Sequence, residues 1–265
     1  MLIAQFSDTH VRPAGQRYQD QVDANAMLDA AVKTLLALAP QPDVILFSGD
    51  LVDCGSPAAY EKARQLLAPL QVPILMLPGN HDDRQVMARY FPGQCPTPNL
   101  LDWSAVHARP DWPLRIIALD IGVPNQHHGD VTAAHAHWLR QRLDEAPDTP
   151  TLIFMHQPPV DSGIPYIDAY KCLNGERLAE VVRDYPVVER ILCGHLHRFM
   201  TLRFAGTLLC TAPSTTTAIA LRLDARATEA SYVEPPALLL HHWTSAGLIT
   251  HWYPVGDFPG PYPFA

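Results

Sequence analysis

With 265 residues and 48% apolar content, the chain is long enough to bury a full core in one large domain. Its formal net charge of -8 and pI near 5.8 argue against a nucleic-acid backbone as the main substrate, because the surface as a whole repels a polyanion. No apolar run approaches the ~20 residues of a membrane helix, residues 1–6 lack the basic flank of a signal peptide, and Cys54, Cys95, Cys172, Cys193 and Cys210 form no paired framework, so a cytoplasmic protein with small buried cysteines is expected.

Strand-length apolar runs alternate with amphipathic helices along the first two hundred or so residues. Residues 2–6 read as a strand that ends at Asp8 and His10, followed by a helix over 22–38. A second strand at 44–47 runs into Asp50, and Ser56 before Pro57 reads as an N-cap with proline at the first helical position. The run 74–77 ends in Pro78-Gly79 just before Asn80 and His81. Strands at 152–155 and 191–193 lead to His156 and to His195 and His197, with helices predicted over 132–143 and 175–185. From residue 199 the pattern changes to short strands, at 199–204, 207–211, 218–223, 237–243 and 248–253. Two sheets covered by helices fit this order.

Metal-seeking side chains therefore sit at strand ends. In an open α/β sheet the crevice beyond the carboxyl ends of the strands collects ligands, so residues far apart in sequence are expected to converge there. Carboxylate, imidazole and amide oxygen suit Fe, Mn, Zn or Co, and no thiolate is in the set. A structural zinc site closes on four ligands, usually with cysteine, so a larger set without cysteine points to two divalent ions sharing a carboxylate, for which Asp50 is the natural bridge. Four positive charges less Asp8 and Asp50 leave two; a bridging hydroxide leaves one, which a phosphodiester monoanion neutralises.

Other histidines read differently. His127 and His128 lie in a polar loop that could touch substrate, with a solvated loop the preferred reading. His135 and His137, two apart in a predicted helix, cannot face one metal together. The stretch around His241 and His242 alternates poorly, which suits a strand buried on both faces or an interface, with the interface preferred.

Ser7-Asp8-Thr9-His10, Gly49-Asp50-Leu51-Val52-Asp53, Gly79-Asn80-His81-Asp82, Met155-His156-Gln157-Pro158-Pro159 and Gly194-His195-Leu196-His197 resemble, in order and spacing, the five signature blocks of the calcineurin-like metallophosphoesterases. Val22-Asp23-Ala24-Asn25-Ala26, Cys54-Gly55 and Cys172-Leu173-Asn174-Gly175 extend the likeness to the branch holding class III cyclic-nucleotide phosphodiesterases and bacterial glycerophosphodiesterases, fading after about Pro213. The resemblance implies an α/β fold, a four-layer αββα sandwich of two mixed sheets. It implies Asp8, His10, His197 and bridging Asp50 on one metal, and Asp50, Asn80, His156 and His195 on the other. It also implies a metal-bridging hydroxide as nucleophile, His81 as proton donor or charge stabiliser, and Asp53 as its partner. Residues 1–213 would be the catalytic domain, and 214–265 a β-rich segment that completes the fold and forms a subunit interface or cap in a homodimer or higher oligomer.

The departures bear on substrate. Protein phosphatases of this superfamily follow the second block with an arginine that grips a phosphate dianion; here that position is Cys54. Small diesters are favoured, glycerophosphodiesters first and 3',5'-cyclic nucleotides such as cyclic AMP second, with a phosphomonoesterase or nuclease of the same fold behind them.

Overall fold

The computed structural model describes residues 1–93 and 104–263, and Cys95 lies outside them. β1 (Leu2–Phe6), β2 (Val44–Ser48) and β3 (Ile74–Leu77) are parallel neighbours, connected through α1 (Ala24–Leu36) and α2 (Pro57–Leu67). The Asp23 carboxylate accepts from the Ala26 amide to start α1, and the Ser56 hydroxyl accepts from the Ala59 amide ahead of Pro57 in α2; caps of this kind contribute roughly 1 kcal/mol each. Leu28, Ala31, Val32 and Leu35 form the buried stripe of α1. β2 is buried along its whole length because both its faces are covered, which is why it reads as an unbroken apolar run rather than an alternation.

β12 (Ala237–Thr244) joins this sheet antiparallel to β1, and β13 (Gly247–Pro254) pairs outside it, giving the order β13-β12-β1-β2-β3. The second sheet contains β4 (Ala105–His107), β5 (Arg115–Ala118), β6 (Thr151–Phe154), β7 (Val188–Cys193), β8 (Met200–Phe204) and β9 (Thr207–Thr211) in the order β4-β5-β6-β7-β9-β8. It is parallel from β5 to β9 with an antiparallel strand at each edge. α4 (Ala133–Asp144) and α6 (Gly175–Asp184) belong to this half. Ile3, Phe6 and Phe47 of one sheet and Ile117, Phe154 and Leu192 of the other lie in a single buried cluster. The expected pair of mixed sheets flanked by helices is thus the observed architecture.

Several details differ from the sequence reading. Residues 218–223 do not form one strand: β10 (Ala218–Ile219) stops early, pairs with β11 (Ser231–Tyr232), and leaves Leu221 and Leu223 61% and 64% exposed on the connecting loop. The apolar stretch opening β12 is buried on both faces within the chain itself, while β1 and β13 pair along its two edges. Cys54 is exposed, while Cys172, Cys193 and Cys210 are buried as expected. β4, β5, β11 and the short helices α3 (Arg84–Tyr90) and α5 (Pro165–Asp168) had no counterpart in the sequence reading. Among the described residues no helix is long and apolar enough to cross a membrane.

Candidate metal centre at the strand ends

The segments that leave β1, β2, β3 and β7 bring His10, Asp50, Asn80, His81, His195 and His197 to one cavity of about 500 Å³, and Asp8 and the buried His156 from the end of β6 pack against these side chains. Ligand atoms of Asp8, His10 and His197 lie within 4.8 Å of one another, and so do those of Asp50, His156 and His195. Asp50 stands between the groups, its Oδ2 3.3 Å from His156 Nε2 and 3.8 Å from His10 Nε2. Asn80 Oδ1 is 3.2 Å from the same His156 nitrogen.

The backbone bends sharply to achieve this. Asp8, His10, Asp50, His195 and His197 have φ of 54°, 43°, 51°, 68° and 53°, the left-handed region that costs a non-glycine residue on the order of 1–2 kcal/mol. Aspartate and histidine are among the side chains that tolerate it best. The Asp8 amide donates to the Gly49 carbonyl at 3.0 Å and the His10 amide to the Asp50 carbonyl at 3.1 Å, which pins two of the turns. A Cβ at Gly79 would stand 2.1 Å from Asp50 Oδ1, so only glycine lets the two loops close.

Hydrogen bonds outside the cluster set the imidazole tautomers. His156 Nδ1–H donates to the Ser48 carbonyl at 2.7 Å, and His197 Nδ1–H to the Thr217 carbonyl at 2.8 Å. Each thereby turns its Nε2 toward the cluster, where, once unprotonated, it would be the donor atom an imidazole offers a metal. His10 Nε2 faces His197 Nε2 at 3.1 Å, and among the described residues the buried His10 Nδ1 and His195 Nε2 have no hydrogen-bond partner.

The charges suit a cation. Burial lowers His10, takes His197 down to about 4 and drives His195 well below the ordinary range, so these rings are neutral near pH 7. Burial works against ionisation of Asp50, but His156 and His81 outweigh it and hold the carboxyl well below its usual value. Burial alone would also lower His156; the Asp50 and Asp8 carboxylates carry it instead to about 9. Asp8 is raised to about 6, chiefly by burial, and a divalent cation beside it would restore the carboxylate.

His81 is oriented differently. Its Nδ1–H donates to the Asp53 main-chain carbonyl at 2.9 Å, while the Asp53 carboxylate is 3.5 Å away. That carboxylate accepts from Arg12 Nη1 and lies 3.6 Å from His10 Nδ1. Burial would lower His81, but Asp50 and the Asp53 carbonyl and carboxylate raise it, favouring imidazolium.

Three neighbours of the site were not among the site residues read from sequence. The Asp82 carboxylate accepts from the amides of Gly79, Leu51 and Val52 at 2.9, 3.1 and 3.2 Å and from the Tyr60 hydroxyl at 3.0 Å, tying the loop after β2 to the loop after β3. Tyr18 stacks on the His10 ring with centroids 4.7 Å apart. His127, expected in a solvated loop, is exposed but lines the cavity, with Nδ1 3.1 Å from Asn80 Nδ2. The adjacent histidines were the only signal for it; loop placement is a tertiary property that local sequence does not encode. His135 proves to be a capping residue, its Nδ1 accepting from the Thr132 amide at 3.0 Å.

The family model for calcineurin-like phosphoesterases matches residues 1–199. The chain belongs to this family. A solved structure of a dimetal phosphatase from Danio rerio shares the fold, with a TM-score of 0.66 at 14% identity, covering 97% of this chain and 99% of that one. Among sequence relatives, the glycerophosphodiester phosphodiesterase GpdQ of Enterobacter lignolyticus is 32% identical over 99% of this phosphoesterase and 94% of its own length. An Arcobacter nitrofigilis protein named a probable glycerophosphodiester phosphodiesterase GpdQ is 35% identical over 100% of this chain and 97% of its own. The cyclic adenosine monophosphate phosphodiesterase CpdA of Escherichia coli is 30% identical over 80% and 75%.

Proposed function

We propose that this phosphoesterase is a dinuclear-metal phosphodiesterase acting on small glycerophosphodiesters. Asp8, His10, His197 and Asp50 would hold one ion, and Asp50, Asn80, His156 and His195 the other. The observation that carries this reading is the placement of the His156 and His197 Nε2 atoms, each ring fixed by a backbone carbonyl at Nδ1 and each Nε2 turned toward a carboxylate. Fe, Mn, Zn or Co fit such nitrogen and oxygen donors. When bound, two such ions polarise the phosphoryl oxygens and lower the pKa of water toward neutrality.

The rest of the work falls to the chain. His81, held at Nδ1 by the Asp53 carbonyl, keeps Nε2 for the cavity and gives a proton to the leaving alkoxide, which is too basic to depart unprotonated. Asp50 and Asp53 keep that ring charged until it acts. Cys54 is exposed, its thiol on the Ser56 hydroxyl at 3.2 Å, and among the described residues no lysine or arginine lines the cavity. A phosphate dianion therefore finds no guanidinium to grip it, which favours a diester. The full-length likeness to glycerophosphodiester phosphodiesterases supports the glycerol-bearing class. Cyclic AMP is the second reading, supported by the relative from Escherichia coli and by Tyr18, Tyr166 and Tyr170 in the cavity lining, on which a base can stack.

The C-terminal segment 214–265 is proposed to complete the catalytic domain 1–213 and to pair subunits through the β13 edge, where Ile249 and Trp252 are 44% and 47% exposed. Sedimentation as a monomer at micromolar concentration would overturn that part. The activity itself is tested on metal-loaded enzyme with bis(p-nitrophenyl) phosphate and p-nitrophenyl phosphate, then with glycerophosphocholine, glycerophosphoethanolamine and cyclic AMP. Faster turnover of the diester and of the glycerol substrates is expected. Faster turnover of the monoester would overturn the diester reading, and cyclic AMP as the best substrate would replace the glycerol class.

A further inference from the structure

The cavity carries more than the metal-seeking cluster. Apart from Asp50, the one side-chain carboxylate among its lining residues is Glu229. Glu229 is exposed, and among the described residues its carboxylate has no ion-pair or hydrogen-bond partner. It sits just ahead of β11 and beside Tyr166, whose hydroxyl donates to the Ala230 carbonyl at 2.9 Å and so ties the helix α5 to this segment. Glu229 and Tyr166 line the same cavity, and burial, with the Glu229 charge to a smaller degree, holds the Tyr166 phenol above its ordinary value. Tyr170 continues the same wall toward the catalytic groups, its ring 5.5 Å from that of His127. The basic residues nearby in sequence are engaged elsewhere, Arg222 by the Thr228 carbonyl and hydroxyl at 3.3 Å each and Arg226 by Asp224 at 3.1 Å, and neither lines the cavity.

We infer that Glu229, with the rings of Tyr166 and Tyr170, is a specificity-determining group that selects diesters whose alcohol portion carries a positive charge, such as an ethanolamine or choline unit. The charge arithmetic of the cavity leads there. A phosphodiester monoanion satisfies the metal side, leaving the Glu229 carboxylate and aromatic walls without a counter-charge. An alkylammonium group supplies one, attracted by the carboxylate and by the ring faces. A second anionic group on the alcohol would meet Glu229 and no cation. A neutral alcohol would gain only contact with the tyrosines. The inference rests on the phosphodiesterase reading and deepens it by naming the charge of the alcohol.

The test compares kcat/KM for glycerophosphocholine with that for its uncharged isostere, in which a 3,3-dimethylbutyl group replaces the trimethylammonium unit at equal shape. Bis(p-nitrophenyl) phosphate serves as a diester that makes no call on Glu229. The wild-type enzyme is expected to prefer the cation by about 10-fold, the ratio falling to about 2-fold in Glu229→Gln, where only the aromatic attraction remains. Glu229→Lys should invert the preference. A ratio that is unchanged in Glu229→Gln, or a wild-type ratio near one, overturns charge selection while hydrolysis of bis(p-nitrophenyl) phosphate leaves the phosphodiesterase reading standing. Failure to hydrolyse any of the three diesters overturns that reading and this inference with it.

Discussion

Two buried polar clusters lie between the sheets, and they are built on opposite principles. Around His241, on β12, the imidazole and carboxamide hydrogen bonds close on one another, and among the described residues Arg190 Nε is the one buried side-chain atom of the cluster without a partner. His241 Nε2–H donates to Gln5 Oε1 at 3.1 Å, and its Nδ1 accepts from the Thr250 hydroxyl at 2.9 Å. The Gln5 amide donates to Ser48 Oγ at 2.8 Å and to the Cys193 carbonyl at 3.1 Å, while Arg190 donates to Thr250 and to the Leu248 carbonyl. Four strands of the first sheet and β7 of the second are joined this way, and burial keeps the imidazole neutral, with its pKa down to about 3. A few residues along the same strands, the cluster around Asp50 leaves nitrogens bare, packs imidazoles edge on and holds five residues at positive φ. Satisfied polar groups hold the architecture, whereas strained and unsatisfied ones mark where a ligand completes the structure.

Substitutions should therefore split by cluster, activity falling in one and stability in the other. The largest effect is expected for Asp50→Ala, which removes the carboxylate common to both groups: metal analysis should find both ions lost and turnover abolished. Asn80→Ala should release mainly the second ion, because its other ligands include only a share of Asp50 as charge. Retention of both ions at wild-type affinity by the Asn80 variant would show that the ligand assignment is wrong. His81→Ala should keep the metals yet slow turnover by about 10² to 10⁴, with a smaller loss on an acidic phenol leaving group. Equal losses on good and poor leaving groups would remove proton donation from its role.

Effects on stability come next in size. Gly79→Ala forces a methyl against Asp50 and should cost about 1–3 kcal/mol by denaturant unfolding, with weakened metal binding as its companion. His241→Gln sharpens the contrast from the closed cluster. Because the folded pKa is depressed, the ring's contribution is present above the ordinary histidine value near 6.5 and is lost as pH falls from there toward about 3. Wild type should lose about 1.4 kcal/mol per pH unit across that window beyond the loss in His241→Gln, with metal content and turnover at neutral pH alike in the two. Parallel acid unfolding curves would contradict the neutral, buried state of His241.

The two clusters also differ in how far sequence reveals them. Asp8, Asp50, Asn80, His156, His195 and His197 were readable because each follows an apolar run or a Pro-Gly break, and the parallel pairing of β1, β2 and β3 and of β6 and β7 then fixes the end at which they meet. The His241 cluster was not readable, since it depends on β12 entering the first sheet beside β1, a pairing of residues more than two hundred apart whose strand is buried on both faces and so lacks alternation. Asp82 and His127 escaped for related reasons: one binds backbone amides, which have no sequence signature, and the other depends on how a loop folds back. The apolar spacing at 218–223 suggested a strand, but its leucines are exposed on the loop between β10 and β11.

The claim that bare imidazole nitrogens and a shared carboxylate complete themselves with two cations is tested most directly by titrating Mn²⁺ or Zn²⁺ into metal-stripped enzyme by calorimetry, with inductively coupled plasma analysis of the loaded protein. Two ions per chain in wild type, and none retained by Asp50→Ala, is the expected result. A single ion per chain in wild type, or two ions in Asp50→Ala, would contradict it.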